Sequence, residues 1–254
     1  MTQKSRNIEM SGSCECRKKI YLQVRLFLFC ILFSASCLPA LSQVNFSAIK
    51  DLPLIITEAP AGKSKTAVLL ISGDGGWYHF EQRIADDFAA RGIATIGLDS
   101  RKYFWVRTTP EKTTMQIAQA LNYFGLKWGT EKFVIMGYSL GAEIVPFIIN
   151  RLPADLKKRI FSAVLLSPST TTDFEIHITN MMGIGSRKNT YETVHEIINM
   201  SPIHTLIIFG DGEKTEVPDL LTGTHVTIRK IPGDHHYKSD VPLIVKTMNE
   251  NKTF

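Results

Sequence analysis

The sequence predicts an α/β fold, a doubly wound, mostly parallel sheet with helices on both faces. Three observations predict it. From Thr66 onward, short apolar runs of strand length alternate with longer segments of helical spacing. The runs are apolar at nearly every position, as strands buried in a parallel sheet are, and do not alternate as half-exposed strands would. The segments rich in Gly, Ser, Asp and His follow directly after the runs, at the strand ends where open α/β sheets bind ligands.

Taken in order, Pro53 and Pro60 bound an entry segment in which Leu54-Ile55-Ile56 adds an edge strand. Thr66 to Ser72 (TAVLLIS) is the first central strand, ending at Gly73-Asp74-Gly75-Gly76-Trp77. His79 to Arg91 has helical spacing at Phe80, Ile84, Phe88 and Ala89, and Gly92 stops it. Ala94 to Leu98 is the next strand. Asp99 to Thr109 reads as a loop crowded with Arg101, Lys102, Tyr103, Phe104, Trp105 and Arg107. Pro110-Glu111 opens a helix that runs to Lys127, with Gly129 as its stop. The strand Phe133 to Met136 runs into Gly137-Tyr138-Ser139-Leu140-Gly141, and the helix Ala142 to Asn150 follows. Phe161 to Leu166, Thr205 to Phe209 and Val226 to Ile231 are further strands, and Asp240 to Asn249 is a closing helix. Ser169 to Pro202, the longest irregular piece, reads as a small cap or specificity insert.

The chain has 254 residues, 44% of them hydrophobic, which suits one globular domain behind a leader. Residues 1–42 hold Lys4, Arg6, Arg17, Lys18, Lys19 and Arg25 against Glu9 and Glu15. That segment therefore carries +4 of the chain's +5, leaving +1 for residues 43–254. A nearly neutral domain has no broad phosphate-binding face, so nucleic acid is not an expected partner. The leader reads as a secretory signal. Arg17-Lys18-Lys19 is its positive region, Leu26 to Phe33 its apolar core, and Ala40-Leu41-Ser42 a cleavage site before Gln43. Two alternatives stay open, a lipid-modified Cys37 and an uncleaved anchor. All four cysteines (Cys14, Cys16, Cys30 and Cys37) sit in the leader. The domain that follows therefore has neither a disulfide nor a thiolate site.

Strand, G-x-S-x-G, helix is the layout of a nucleophile elbow, which makes the sheet α/β-hydrolase-like. A serine on that turn stands alone above the sheet, and the Leu140 amide behind it begins a helix and is free to bond an oxyanion. The nucleophile is Ser139. A serine nucleophile also needs a base, a carboxylate to orient it, and a second oxyanion donor. The base belongs after the last strand, where Gly233-Asp234-His235-His236-Tyr237 stands; His235 is favoured and His236 is the alternative. The acid belongs after Thr205 to Phe209. Glu213 is favoured there, with Asp211 the nearer alternative and Asp219 a third. The second oxyanion donor is expected from the Asp74 or Gly75 amide. Interleaved basic and aromatic residues in the Arg101 to Arg107 loop suit an anionic head group. The residues expected to bind substrate are Trp77, Arg101 and Tyr103. His177, in Asp173-Phe174-Glu175-Ile176-His177, is a minor candidate. No metal and no cofactor is expected.

With those motifs in view the chain resembles the VirJ/AcvB family of exported bacterial proteins. The matching stretches are ISGDGGW at Ile71 to Trp77, DSRKYFW at Asp99 to Trp105 and the Thr109-Pro110-Glu111 helix start. They continue with GYSLGAE at Gly137 to Glu143, NRLP at Asn150 to Pro153, DFEIH at Asp173 to His177 and GDHHY at Gly233 to Tyr237. The single-domain length is similar to the VirJ form. The resemblance implies a periplasmic α/β-hydrolase fold, with Ser139 and His235 or His236 on the family's motifs. It also implies an aminoacylated phospholipid, or another ester at a membrane surface, as substrate, because AcvB-type members are associated with hydrolysis of lysyl-phosphatidylglycerol. The alternative it implies is a non-catalytic partner of type IV secretion components.

Overall fold

The computed structural model describes residues 47, 49–60, 64–176 and 190–254. The expected leader with its four cysteines, and His177, lie outside the described residues. The apolar runs become a seven-stranded sheet. Its strands are β1 (Leu54–Thr57), β2 (Thr66–Ile71), β3 (Ala94–Leu98), β4 (Lys132–Tyr138), β5 (Ile160–Leu166), β8 (His204–Gly210) and β9 (Thr227–Ile231). They lie in the order β1-β3-β2-β4-β5-β8-β9. Only β1 runs antiparallel, against β3, and every other pairing is parallel. A short antiparallel pair, β6 (Thr171–Thr172) and β7 (Tyr191–Glu192), stands apart from the sheet.

The strands are buried along both faces because side chains alternate into two separate cores. Leu69, Ile71, Phe133 and Ile135 enter one core, with helices α3 (Pro110–Trp128) and α4 (Leu140–Arg151). Val68, Leu70, Val134 and Met136 enter the other, with α1 (His79–Ala90) and α8 (Val241–Glu250). Helices therefore cover both faces, as a parallel sheet requires. Local signals end them where expected. The Thr109 side chain caps α3 ahead of Pro110, and Gly129, at φ 64°, closes it in the left-handed conformation.

Two stretches differ from the sequence expectation. Asp99 to Thr109 is not all loop, because Ser100–Tyr103 forms a one-turn helix, α2, capped by the Asp99 side chain. The irregular stretch Ser169 to Pro202 contains β6, β7 and a short helix, α6 (Thr193–Ile198). One-turn helices also form at Ala154–Lys157 (α5) and Val217–Leu220 (α7). No helix among the described residues is long and apolar enough to cross a membrane.

Candidate active site

Ser139 sits between β4 and α4 with φ 51° and ψ −117°, a conformation that costs a non-glycine residue energy and persists only where its surroundings impose it. The surroundings here do so. The Ser139 amide extends the sheet by donating to the Leu166 carbonyl at 2.9 Å, and its carbonyl starts α4 by accepting from the Glu143 amide at 3.1 Å. Glycine is required on both sides of the turn. A Cβ on Gly141 would lie 2.1 Å from the Ile71 carbonyl oxygen, and one on Gly137 would lie 2.3 Å from the Gly141 backbone. The strand, the turn and β2 thus pass closer together than any side chain allows.

The turn aims the Ser139 hydroxyl at His235. Ser139 Oγ lies 3.0 Å from His235 Nε2, and His235 Nδ1 lies 3.0 Å from Glu213 Oε2. The three residues come from the ends of β4, β9 and β8, which lie on one side of the sheet. Two loops are stapled to make this meeting exact enough. The Gly233 amide donates to Asp211 Oδ1 at 3.0 Å and the Gly212 amide to the Gly233 carbonyl at 2.9 Å. Tyr138 reaches across from β4, donating to the His235 carbonyl or sharing its proton with His236 Nδ1 at 2.9 Å. Of the paired alternatives, then, His235 faces Ser139 while His236 faces Tyr138. Glu213 faces His235 while Asp211 ties the histidine loop. Asp219 lies in α7, exposed.

Glu213 is held by more than histidine. Its Oε1 accepts from Ser167 Oγ at 2.6 Å and from the Gly210 amide at 2.5 Å. Ser167 in turn contacts the Tyr237 hydroxyl, which also reaches the Ile208 carbonyl at 2.8 Å. Burial pushes the Glu213 carboxyl up, but the hydrogen bonds from His235, Ser167 and Gly210 together outweigh it and hold the group below the usual carboxylate range. The Glu213 hydrogen bond raises His235 above the ordinary histidine value, against burial, with help from the charges of Glu213, Asp74 and Glu143. Ser167 and Tyr237 were not singled out as functional from sequence. They lie 46 and 70 positions from their partners, and no local pattern connects them.

Beside Ser139 lies a cavity of about 280 Å³, lined by Gly73 to Gly76, Glu81, Tyr138, His235 and His236 among others. The glycine string is a turn closed by the Gly76 amide on the Gly73 carbonyl at 3.0 Å. Asp74 and Gly75 therefore reach the Ser139 cavity, and Leu140 opens α4 directly behind the serine. Glu81, in α1, is buried and accepts from the Tyr78 amide at 3.1 Å, which ties the far end of this loop to the helix. Burial raises its pKa, and Asp99 adds to that. The Tyr138 hydroxyl is pushed far up by burial and by the charges of Glu81, Glu213, Asp74 and Asp234. Asp74 and Glu81 are the acidic residues on the wall of the Ser139 cavity.

The residues expected to bind substrate lie elsewhere. Trp77 and Arg101 line a neighbouring cavity of about 620 Å³, together with Tyr78, Asp99, Lys102 and Trp105. The Trp77 ring also packs over Gly97, where a Cβ would meet it at 2.4 Å, and its Nε1 donates to Gln82 at 2.9 Å. Tyr103 lines neither cavity. Its ring meets Phe104 edge-on and its hydroxyl donates to Gln116 at 2.5 Å, so packing accounts for it. Among the described residues no group of three His, Cys, Asp or Glu side chains could hold a metal.

Comparison with solved structures gives the same architecture. A lipase-esterase related protein from Clostridium acetobutylicum superposes with TM-score 0.56 at 13% identity, over 78% of this chain and 99% of that one. Est1E from Butyrivibrio proteoclasticus gives TM-score 0.55 at 14% identity, over 78% and 93% of the two chains. MenH from S. aureus gives 0.55 at 11% identity, over 78% and 98%. At such identities the likeness shows the α/β-hydrolase fold and nothing finer. No curated protein shows a significant sequence match. Residues 65–253 match the family described as "Bacterial virulence protein (VirJ)", and the chain belongs to that family.

Proposed function

We propose that the protein is an exported serine ester hydrolase. The observation that carries this reading is the unbroken hydrogen-bonded chain from Ser139 through His235 to Glu213, set at a helix N-terminus beside a glycine loop. In the reaction, Ser139 Oγ attacks the ester carbonyl and its proton passes to His235 Nε2. Glu213 steadies the imidazolium that forms. The Leu140 amide, with that of Asp74 or Gly75, bonds the oxyanion of the tetrahedral intermediate. That intermediate collapses, the C–O bond to the alcohol breaks, and His235 returns the proton to the departing oxygen. Water, deprotonated by the same histidine, then releases the acid from Ser139.

The same reading extends to the substrate. An ester whose acyl part carries an ammonium suits a cavity whose lining includes the carboxyl groups of Asp74 and Glu81 and, among the described residues, no Lys or Arg. The neighbouring cavity, with Arg101 and Lys102 on its wall, suits a phosphate. An aminoacyl-phosphatidylglycerol carries both groups, and the family resemblance points to the same substrate. Export to the periplasm by the cleaved leader, and a domain spanning 43–254, complete the reading. An intact Ser139, His235 and Glu213 chain favours this over a purely non-catalytic role beside secretion components.

Reaction with a fluorophosphonate probe tests the chemistry. The folded protein is expected to label, and Ser139→Ala to abolish labelling; a folded, unlabelled wild type would refute the reading. For the ammonium, Asp74→Asn is expected to reduce turnover of aminoacyl lipid more than that of a neutral acyl ester. An unchanged ratio would remove Asp74 from that role.

A further inference from the structure

Next to the cleft the fold holds out a projection that the ester chemistry does not use. Trp105, Val106 and Arg107 are all exposed, Trp105 at 50% and Val106 at 73%. Both ends of this projection are fastened. Phe104 is fully buried, and its carbonyl accepts from the Ile176 amide at 2.8 Å. On the other side the Thr108 amide donates to the Phe174 carbonyl at 3.0 Å. The backbone therefore imposes the apolar exposure; it is not a fraying end. Tyr78, 59% exposed, stands close by, its hydroxyl accepting from Arg101 Nη1 at 3.3 Å. Tyr78 lines both the Ser139 cavity and its neighbour, and Trp105 lines the neighbour with Arg101 and Lys102. The projection thus belongs to the rim of the cleft.

The composition of this rim selects its partner. Three large apolar or amphipathic side chains, Tyr78, Trp105 and Val106, stand among three exposed cations, Arg101, Lys102 and Arg107. Asp99 pairs with Lys102 at 3.0 Å and is the acid that lines the same cavity. Aromatic rings with a polar tip settle at the boundary between hydrocarbon and headgroups, and Lys and Arg on the same face favour anionic headgroups. A stable protein interface needs roughly 800 Å² from each partner, far more than three side chains supply, whereas a bilayer accepts a few inserted groups. We propose that Tyr78, Trp105 and Val106, ringed by Arg101, Lys102 and Arg107, dock the protein on an anionic lipid bilayer and set the mouth of the cleft against the headgroup layer. Its purpose rests on the reading of the cleft as a lipid-ester hydrolase, but its measurement does not.

The test uses the exported form without its leader, residues 43–254, and vesicles of phosphatidylglycerol or phosphatidylcholine whose acyl chains are brominated to quench tryptophan. Phosphatidylglycerol vesicles are expected to quench the wild type, phosphatidylcholine vesicles much less. Trp105→Phe should remove most of that quenching, since Trp77 and Trp128 stay out of the bilayer. Val106→Asp should lower partition into phosphatidylglycerol vesicles at least ~5-fold, the scale of one charge at an anionic surface, with turnover of a soluble short-chain ester unchanged. Quenching that persists in Trp105→Phe, partition that is unaltered in Val106→Asp, or no quenching of the wild type would each overturn the proposal. If the ester reading fails instead, turnover is absent in wild type and variant alike while the quenching result still stands.

Discussion

Glu213 holds Ser167, the Gly210 amide and His235 at once, and that makes it the most telling single residue at the site. His235 can act as a base only when neutral, so a raised pKa places the acidic limb of kcat/KM above the ordinary histidine value of 6.5. Glu213→Gln removes the first cause of that rise. The limb is expected to move to lower pH, with kcat falling about 10⁴-fold, the scale found when a triad carboxylate is lost. A pH profile of kcat/KM measures both. A limb that stays in place would mean that Glu213 does not set the protonation of His235. Tyr237→Phe tests the layer beneath. It strips a buried hydroxyl from Ser167 and the Ile208 carbonyl, and should lower stability by about 1–3 kcal/mol in urea unfolding.

At the scale of elements, the site depends on turns that approach too closely for side chains. A Cβ on Gly210 would lie 2.3 Å from the Asp234 carbonyl oxygen, so Gly210→Ala must push the histidine loop away from Glu213. Its kcat is expected to fall more than tenfold, since an ångström of misplacement can cost about 10²-fold. Gly129→Ala, with nothing within 4 Å but φ at 64°, should cost about 1 kcal/mol of strain and leave kcat alone. Steady-state kinetics and urea unfolding of the two variants separate these effects. The central strands were legible because Thr66–Ile71, Ala94–Leu98 and Thr205–Phe209 are apolar at most positions without polar alternation, the direct imprint of burial on both faces. Ser139 was legible because its turn needs glycine two residues either side. The α2 turn was not, because four residues held by one Asp99 cap leave no periodic pattern. His235 and His236 could not be separated by spacing, being neighbours. Long-range bonds distinguish them, those of His235 to Ser139 and Glu213 and that of His236 to Tyr138.

Across the whole molecule, a parallel sheet has two unlike ends, and this one divides chemistry from anchoring between them. Ser139, Glu213 and His235 follow the carboxyl ends of β4, β8 and β9. At the amino end, Ser162 of β5 pairs with His204, the first residue of β8. There the buried Ser162 Oγ donates to the Thr253 carbonyl at 2.5 Å. Thr253 is itself fully buried and donates to the Met248 carbonyl at the end of α8, while Phe254 meets Phe88 of α1 edge-on at 5.3 Å. This final strap therefore joins β5, α8 and α1 across the second core, a whole sheet length from the serine. Ser162→Ala leaves a buried carbonyl without its donor and should cost about 1–3 kcal/mol. Phe254→Ala gives up a partly buried ring and an aromatic pair, about 1–2 kcal/mol. Both variants should unfold at lower urea yet keep wild-type kcat/KM and fluorophosphonate labelling wherever they remain folded. A loss of labelling in folded Ser162→Ala would show that the two ends are coupled through β5, since Ser167 at its other end grips Glu213.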